Sequence, residues 1–146
     1  MNIYFICTGN TCRSPMAEAI LRAKDNMEIK VRSAGLHASP GIPISSYSKR
    51  LIEEAGMPYS PLSRRISSED IEWADLILTM TEGHKYALLQ LYPEVLQKAF
   101  TLREYVQLDE RKDVQDPFGG DIELYRHAFR ELTANIDVLE RKLMEH

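Results

Sequence analysis

Short apolar runs alternate with amphipathic segments along the whole chain, and this alternation predicts an α/β domain with a parallel sheet. Four of the runs predict β-strands, at positions 2–6, 28–35, 74–80 and 99–102. The first is almost continuously apolar, which indicates a central strand, whereas the second alternates and predicts an edge strand. Because crossovers between parallel strands are right-handed, we expect a doubly wound, three-layer architecture with helices on both faces. A ligand would then bind beyond the carboxyl ends of the strands.

Capping and stop signals delimit the helices predicted between the strands. Ser14 and Pro15 predict the N-cap and the first position of the first helix, whose buried face is Met16, Ala19, Ile20 and Ala23. Three further helices are predicted: from Ser45 or Ser46 to Gly56, from Ser67 over a short stretch, and from Thr81 to a point before Pro93.

The last helix has the clearest pattern, because apolar residues recur at spacings of three and four from Ile122 to Leu143. Such a stripe fits either a coiled-coil partner or one face of the sheet. The aromatic residues within it, Tyr125 and Phe129, and the lack of a second long segment favour packing on the sheet.

Length, charge and cysteine content narrow the function classes. We expect residues 1–146 to form a single domain and the protein to be a monomer. The formal net charge of −4 argues against nucleic acid as a partner. No run approaches the roughly 18 apolar residues that span a bilayer, and residues 3–6 are too few for a signal peptide, so no membrane association is expected. Only Cys7 and Cys12 are present, which predicts a compartment that keeps thiols reduced and hence a cytoplasmic protein.

The strongest chemical signal is the stretch Cys7-Thr8-Gly9-Asn10-Thr11-Cys12-Arg13-Ser14, which joins the first strand to the first helix. A loop there points backbone N–H groups and the positive end of a helix dipole into one concavity, which suits a phosphate dianion. Arg13 can bind two phosphate oxygens at once, and Gly9 and Asn10 tolerate the positive φ of a wrapped loop. The dipole, the amides and Arg13 would all favour a thiolate at Cys7, and a thiolate beside phosphate is a nucleophile.

A Cys-x5-Arg spacing is weak on its own, because a buried structural cysteine before a turn is common. Its place at a strand-to-helix switch makes it more specific, as does Ser14, whose hydroxyl can donate to the thiolate. In this setting the loop resembles the signature loop of the low-molecular-weight protein tyrosine phosphatase family. That family's second signature lies near the C-terminus, where Asp116-Pro117-Phe118 matches it.

The resemblance covers nearly the whole chain and implies the strand order 2-1-3-4 and a protein phosphatase that needs no metal or cofactor. It implies that Cys7 attacks phosphorus to form a phosphocysteine, that Arg13 and the loop amides stabilise the phosphoryl group, and that Asp116 is the general acid. Without the resemblance, an aspartate before a proline could equally be a turn former. Substrate-binding residues are predicted to be Thr8, Gly9, Asn10, Thr11, Cys12, Ser14 and Phe118.

The resemblance also assigns supporting roles. It implies that Ser33 hydrogen-bonds Asn10, and that Cys12 forms a reversible disulfide with Cys7 on oxidation, although Cys12 could instead serve packing alone. The family's usual histidine ahead of its basic turn is missing here, because Pro61-Leu62-Ser63-Arg64-Arg65 stands at that place. One support of the loop is therefore left unassigned.

The histidines have no mutual ligand spacing, so no metal site is expected. We expect surface positions for His37, His84, His127 and His146, with His37 alone able to line the mouth of the pocket.

Thr11 bears on the substrate. Tyrosine-directed members typically have an aliphatic residue there, whereas a hydroxyl can meet the polar edge of a guanidinium. Thr11, together with Asp116-Pro117-Phe118-Gly119-Gly120, is similar to the protein-arginine phosphatase branch, so phosphoarginine in proteins is the predicted substrate. The first alternative is a phosphotyrosine phosphatase. The second is an arsenate reductase-like or redox-sensing module, against which stand the lack of further cysteines after Cys12 and the presence of Asp116.

Overall fold

A computed structural model of the protein describes residues 1–145 and shows one parallel sheet. Its strands are β1 (Asn2–Cys7), β2 (Lys30–Gly35), β3 (Leu76–Thr79) and β4 (Ala99–Thr101), in the order β2-β1-β3-β4. Every neighbouring pair is parallel. The predicted fold class and the strand order implied by the resemblance are confirmed.

β1 is the centre of the sheet because its side chains are apolar on both faces. The residues from Ile3 to Ile6 expose none of their surface. Ile3 and Phe5 point into one core, whereas Tyr4 and Ile6 point into the other. Among the four strands β2 pairs with β1 alone and forms an edge, as its alternating sequence predicted, although its last residue, Gly35, also forms a bridge with Arg65.

Six α-helices in the described residues cover the two faces. They are α1 (Arg13–Ala23), α2 (Ser46–Glu54), α3 (Ser68–Trp73), α4 (Glu82–Leu91), α5 (Leu102–Val106) and α6 (Ile122–Leu143). The core on one face is built from α1, α2, α5 and α6, and the other from α3, α4 and a 3-10 helix, Pro93–Lys98. No helix among residues 1–145 has the length and apolarity needed to cross a bilayer.

The apolar stripe of α6 packs inside the protein. Tyr125, Leu132, Ile136 and Leu139 are buried in the core that α1 shares. The stripe therefore covers one face of the sheet, which is the alternative that the sequence favoured.

The prediction for the start of α1 was wrong. The helix begins at Arg13, and the N-cap position is Cys12, which makes no side-chain capping bond. Ser14 cannot cap the helix because its hydroxyl contacts the Cys7 thiol and the Asn10 side chain instead. The predicted buried face was also incomplete, since Ala23 is exposed and Leu21 is buried.

The end of β2 packs tightly against the loop that follows β1. An ideal Cβ on Gly35 would lie 2.4 Å from the carbonyl oxygen of Thr8. Just beyond, the backbone N–H of Leu36 donates to the Cys7 carbonyl at 2.9 Å, and that of His37 donates to the Thr8 carbonyl at 3.0 Å. The edge strand thus holds the loop in place, and it can do so only with a glycine at the point of contact.

Candidate active site

The loop between β1 and α1 forms one wall of a pocket at the carboxyl end of the sheet. The pocket has a volume of about 260 Å³ and is lined by Cys7, Thr8, Gly9, Thr11, Cys12, Arg13, Asp116 and Phe118. Both signatures from the sequence therefore meet in one cavity, although more than 100 positions separate Cys7 from Asp116.

Cys7 lies at the end of β1 with only 4% of its surface exposed. Its Sγ is 2.8 Å from the Ser14 hydroxyl and accepts a hydrogen bond from the Asn10 backbone N–H at 3.2 Å. The loop amide of Asn10 donates to the sulfur and the Ser14 hydroxyl of α1 is placed to do so, and hydrogen bonds of this kind stabilise a thiolate.

Burial opposes this stabilisation. It raises the pKa of the Cys7 thiol above its ordinary value, whereas the Ser14 hydroxyl, the backbone N–H groups of Ser14 and Asn10, and the Arg13 guanidinium lower it. Burial is the largest of these effects. The thiolate expected from the sequence rested on the lowering effects alone, without the desolvation of a largely buried sulfur.

Asn10 and Ser14 lie behind the pocket rather than along its lining. Asn10 has a left-handed backbone, with φ of 56°, and is 2% exposed. Its side-chain amide donates to the Ser14 hydroxyl at 2.8 Å and to the Ser33 hydroxyl at 3.0 Å, and its Oδ1 accepts from the Arg64 backbone N–H at 2.8 Å. The bond to Ser33 is the one that the resemblance implied. Because they lie behind the pocket, Asn10 and Ser14 stabilise the loop through these hydrogen bonds.

The support that the sequence left unassigned comes from Arg64 and from Glu18, a buried carboxylate of α1. Glu18 is 1% exposed and accepts hydrogen bonds from Ser33 at 2.8 Å, Arg64 at 2.6 Å and Ser60 at 2.7 Å. These bonds continue the network of Asn10 away from the pocket. Glu18 was not predicted, because it lies off the predicted apolar face of α1 and its burial appears only in the structure.

Arg13 joins the loop to the segment that carries Asp116. Its NH1 donates to the Val114 carbonyl at 2.9 Å, and its NH2 lies 3.5 Å from Asp116 Oδ2. The Arg13 side chain is 7% exposed and that of Asp116 is 53% exposed. Oδ1 of Asp116 also accepts from the Phe118 backbone N–H at 3.0 Å, so the aspartate does form a turn as well as facing the pocket.

Cys12, Thr11 and Phe118 complete the lining. Cys12 Sγ is 3.3 Å from the Tyr125 hydroxyl and 3.8 Å from Thr11 Oγ1, and both cysteines are free thiols. Phe118 stands at the pocket with 77% of its surface exposed. A large apolar ring held in solvent beside a cavity is available to a ligand.

The expectation of a surface position was wrong for His84. This residue is 8% exposed, and its Nε2 lies 2.8 Å from the Thr8 hydroxyl. His37 is exposed and does not line the pocket, His127 is exposed, and His146 lies outside the described residues. Among residues 1–145, no group of His, Cys, Asp or Glu side chains is arranged to hold a metal ion.

The arrangement combines a sulfur nucleophile, a guanidinium and a carboxyl group around a cavity lined by a loop at a helix N-terminus. A tetrahedral anion at the loop would face the sulfur on one side and the carboxyl group on another. Such a site can perform in-line displacement at phosphorus with protonation of the leaving atom.

Comparisons with known proteins agree with this chemistry. The family model described as low molecular weight phosphotyrosine protein phosphatase matches residues 2–146. A protein-arginine-phosphatase of Geobacillus stearothermophilus is 44% identical over 141 residues, which cover 97% of this chain and 95% of that protein. A low molecular weight protein-tyrosine-phosphatase, PtpB, of Staphylococcus haemolyticus (strain JCSC1435) is 42% identical over 132 residues, covering 90% and 92%. A solved structure of YwlE arginine phosphatase, a C7S mutant with a phosphorylated active site serine, superposes with a TM-score of 0.94 at 37% identity and covers 99% of this chain and 97% of that one.

The substitution Ser14→Ala should raise the pKa of the Cys7 thiol, because it removes a hydrogen bond that favours the thiolate. Hydrogen bonds to charged groups are worth about 1.5–3 kcal/mol, so alkylation of Cys7 by iodoacetate near neutral pH should slow roughly 10-fold or more. The pH dependence of the alkylation rate, with the modified cysteine mapped by mass spectrometry, measures this. Ser63→Ala, which removes a similarly buried hydroxyl bonded to Ser39, is the matched control and should leave the rate unchanged. An unchanged rate in Ser14→Ala would contradict the account of the thiolate.

Proposed function

The chain belongs to the low molecular weight phosphotyrosine protein phosphatase family, and on that premise we propose that it hydrolyses phosphoarginine in proteins through a phosphocysteine on Cys7. It is a metal-independent protein phosphatase. The observation that carries the proposal is the convergence of Cys7, Arg13, Thr11 and Asp116 on one pocket. A named arginine phosphatase with a phosphorylated serine in its active site supports a covalent intermediate at the corresponding place.

In the first step, the Cys7 thiolate attacks phosphorus and an S–P bond forms while the P–N bond breaks. The electron pair of the P–N bond goes to the guanidine nitrogen, which takes a proton from the Asp116 carboxyl group. This protonation is needed because a guanidine nitrogen that left without a proton would depart as a strongly basic anion, which is a very poor leaving group. Arg13 and the loop amides stabilise the charge on the equatorial oxygens.

In the second step, water attacks the phosphocysteine. Asp116, now a carboxylate, accepts a proton from the water, and the thiolate of Cys7 leaves phosphorus. The exposed position of Asp116 beside Arg13 suits both tasks, because its carboxyl group borders the pocket and solvent together.

Preference for arginine rests on Thr11, which is one of the residues that line the pocket. A guanidinium is polar on every edge, and a hydroxyl in the wall offers it a hydrogen-bond acceptor that an aliphatic residue lacks. Overall similarity does not decide the substrate, since a relative named tyrosine phosphatase is 42% identical and one named arginine phosphatase is 44% identical. Phosphotyrosine is therefore the second candidate substrate, favoured by the exposed ring of Phe118 at the pocket.

We also propose that the two pocket cysteines respond to oxidation. Peroxide would oxidise the Cys7 thiolate to a sulfenic acid and be reduced to water. The Cys12 thiol would then attack that sulfur, so that an S–S bond forms, the S–O bond breaks and water leaves. Both thiols are free and line the same pocket, which supports the step.

Location and assembly belong to the same proposal. Free thiols at a working site suit the reducing cytoplasm, and the formal net charge of −4 offers no attraction to nucleic acid or to anionic membrane surfaces. We propose that residues 1–146 act as a single domain and as a monomer on phosphorylated proteins.

Replacement of Asp116 by Asn should slow the reaction most for substrates whose leaving group must be protonated as it departs. Loss of general acid catalysis typically costs about 10²- to 10⁴-fold, so kcat/KM for a phosphoarginine peptide, which reports the first step, should fall by that range. For p-nitrophenyl phosphate, whose leaving group is stable as an anion, the loss in the first step should be much smaller. Asp121→Asn is the control, because asparagine can replace this helix cap without change in rate. Equal losses of kcat/KM with both substrates would contradict the role of Asp116 as general acid, and near-parent activity in Cys7→Ser would contradict the covalent route.

Replacement of Thr11 by Ile should shift preference from phosphoarginine toward phosphotyrosine. Leaving a polar group unpaired costs about 1–3 kcal/mol, so the ratio of kcat/KM for matched phosphoarginine and phosphotyrosine peptides should fall roughly 10-fold or more. Thr11→Val keeps the shape of threonine and should lose most of the same preference. Thr133→Val, on the remote helix α6, is the control. An unchanged ratio in both Thr11 variants would refute the role of this hydroxyl.

Treatment with peroxide should inactivate the enzyme reversibly and produce one intramolecular bridge between Cys7 and Cys12. Peptide mapping before and after dithiothreitol measures the bridge and its reduction. In Cys12→Ser the resolving thiol is absent, so Cys7 should oxidise further and activity should not return. Intermolecular dimers as the sole oxidised product would rule the proposal out.

A further inference from the structure

His84 lies against the active-site loop although the mechanism above assigns it no task. Strand β3 runs beside β1, with Thr79 opposite Ile6, so the turn after β3 brings the start of α4 next to the loop after β1. Thr81 caps α4 by accepting a hydrogen bond from the His84 backbone N–H at 3.0 Å. The cap fixes the backbone of His84 within the first turn of the helix.

The ring of His84 is enclosed and makes one polar contact with the loop. Its Nε2 is 2.8 Å from the hydroxyl of Thr8, which lines the pocket and is itself exposed. Its Nδ1 is buried and has no hydrogen-bond partner among the described residues. The contact with Thr8 is thus the only hydrogen bond that the buried His84 ring makes among the described residues.

The ring is neutral at pH 7. Burial and, after it, the nearby Arg13 lower the pKa of His84 to about 4, against the opposite effect of Asp116 and Asp113. A neutral imidazole carries hydrogen on one nitrogen only, so one of the two nitrogens donates and the other accepts.

The unpartnered Nδ1 decides which nitrogen carries the hydrogen. If Nδ1 carried it, a buried N–H would lack an acceptor, which is rare in proteins; an unpaired acceptor is tolerated more often. The hydrogen therefore belongs on Nε2, which donates to Thr8 Oγ1. With a lone pair of Oγ1 occupied by His84, the hydroxyl hydrogen of Thr8 is free to turn into the pocket.

We propose that His84 is a positioning residue that orients the Thr8 hydroxyl as a donor to the bound phosphoryl group. This inference rests on the proposed function, since it adds a donor to the same anion site. It concerns the phosphoryl group alone, which phosphoarginine, phosphotyrosine and inorganic phosphate share, and it therefore holds whichever side chain carries the phosphate.

A double-mutant cycle between His84 and Thr8 tests the proposal. The variants are His84→Leu, which removes the donor, His84→Gln, whose side-chain amide can supply one, Thr8→Val, and Thr8→Val combined with His84→Leu. The readouts are the inhibition constant of inorganic phosphate and kcat/KM for p-nitrophenyl phosphate at pH 7. Urea unfolding checks that each variant is folded. If His84→Leu does not fold, His84→Ala is used in its place.

His84→Leu should weaken phosphate inhibition and lower kcat/KM roughly 3- to 10-fold, the range expected for one lost hydrogen bond, and His84→Gln should restore most of it. In the Thr8→Val background, His84→Leu should have no further effect, because the hydroxyl that it orients is absent. An equal effect in both backgrounds, or a glutamine variant as impaired as the leucine variant, would overturn the proposal and leave His84 with a packing role. A parent enzyme that neither binds phosphate nor hydrolyses p-nitrophenyl phosphate would overturn the proposed function as well.

Discussion

The loop depends on the conformation of Asn10. A left-handed backbone costs most non-glycine residues about 1–2 kcal/mol and asparagine less, and Asn10 adopts it with almost no exposure to water. Three side-chain hydrogen bonds, to Ser14, Ser33 and Arg64, offset that cost, each worth about 0.5–1.5 kcal/mol. The same backbone turn aims the Asn10 N–H at Cys7 Sγ. The hydrogen bonds that hold the buried Asn10 side chain thus also position its backbone N–H against the nucleophile Cys7.

Two opposing effects meet at Cys7, and both come from its burial at the end of the central strand. Desolvation disfavours the thiolate, but the same enclosure strengthens each donor aimed at the sulfur. The Arg13 side chain extends to the other side of the pocket, where it contacts the carbonyl of Val114 and the carboxylate of Asp116. The Arg13 guanidinium therefore connects the segment that carries Asp116 to the loop that carries Cys7, although these two parts of the chain are far apart in sequence.

Sequence patterns predicted the elements whose signals are local and repeated. The continuous apolar run of β1, the cap at Thr81 and the stripe of α6 each appear at the expected place. The short α5 and the 3-10 helix were missed, because segments this short do not show a periodic pattern of apolar residues. Ser14 was assigned both a helix cap and a hydrogen bond to Cys7, and only the second is present, because nothing in the sequence shows that Asn10 also bonds its hydroxyl. Glu18 and His84 were missed because their partners come from other elements, and only the packed sheet brings those together.

The covalent intermediate is the centre of this account, and trapping it is the most direct test. The parent enzyme would be mixed with a phosphoarginine peptide, quenched within a turnover, digested and analysed by tandem mass spectrometry. The account predicts a phosphoryl group on Cys7, formed and lost at rates consistent with kcat, and absent when the peptide carries unmodified arginine. A phosphoryl group on another residue, or release of phosphate with no phosphorylated Cys7 at any time during turnover, would contradict it.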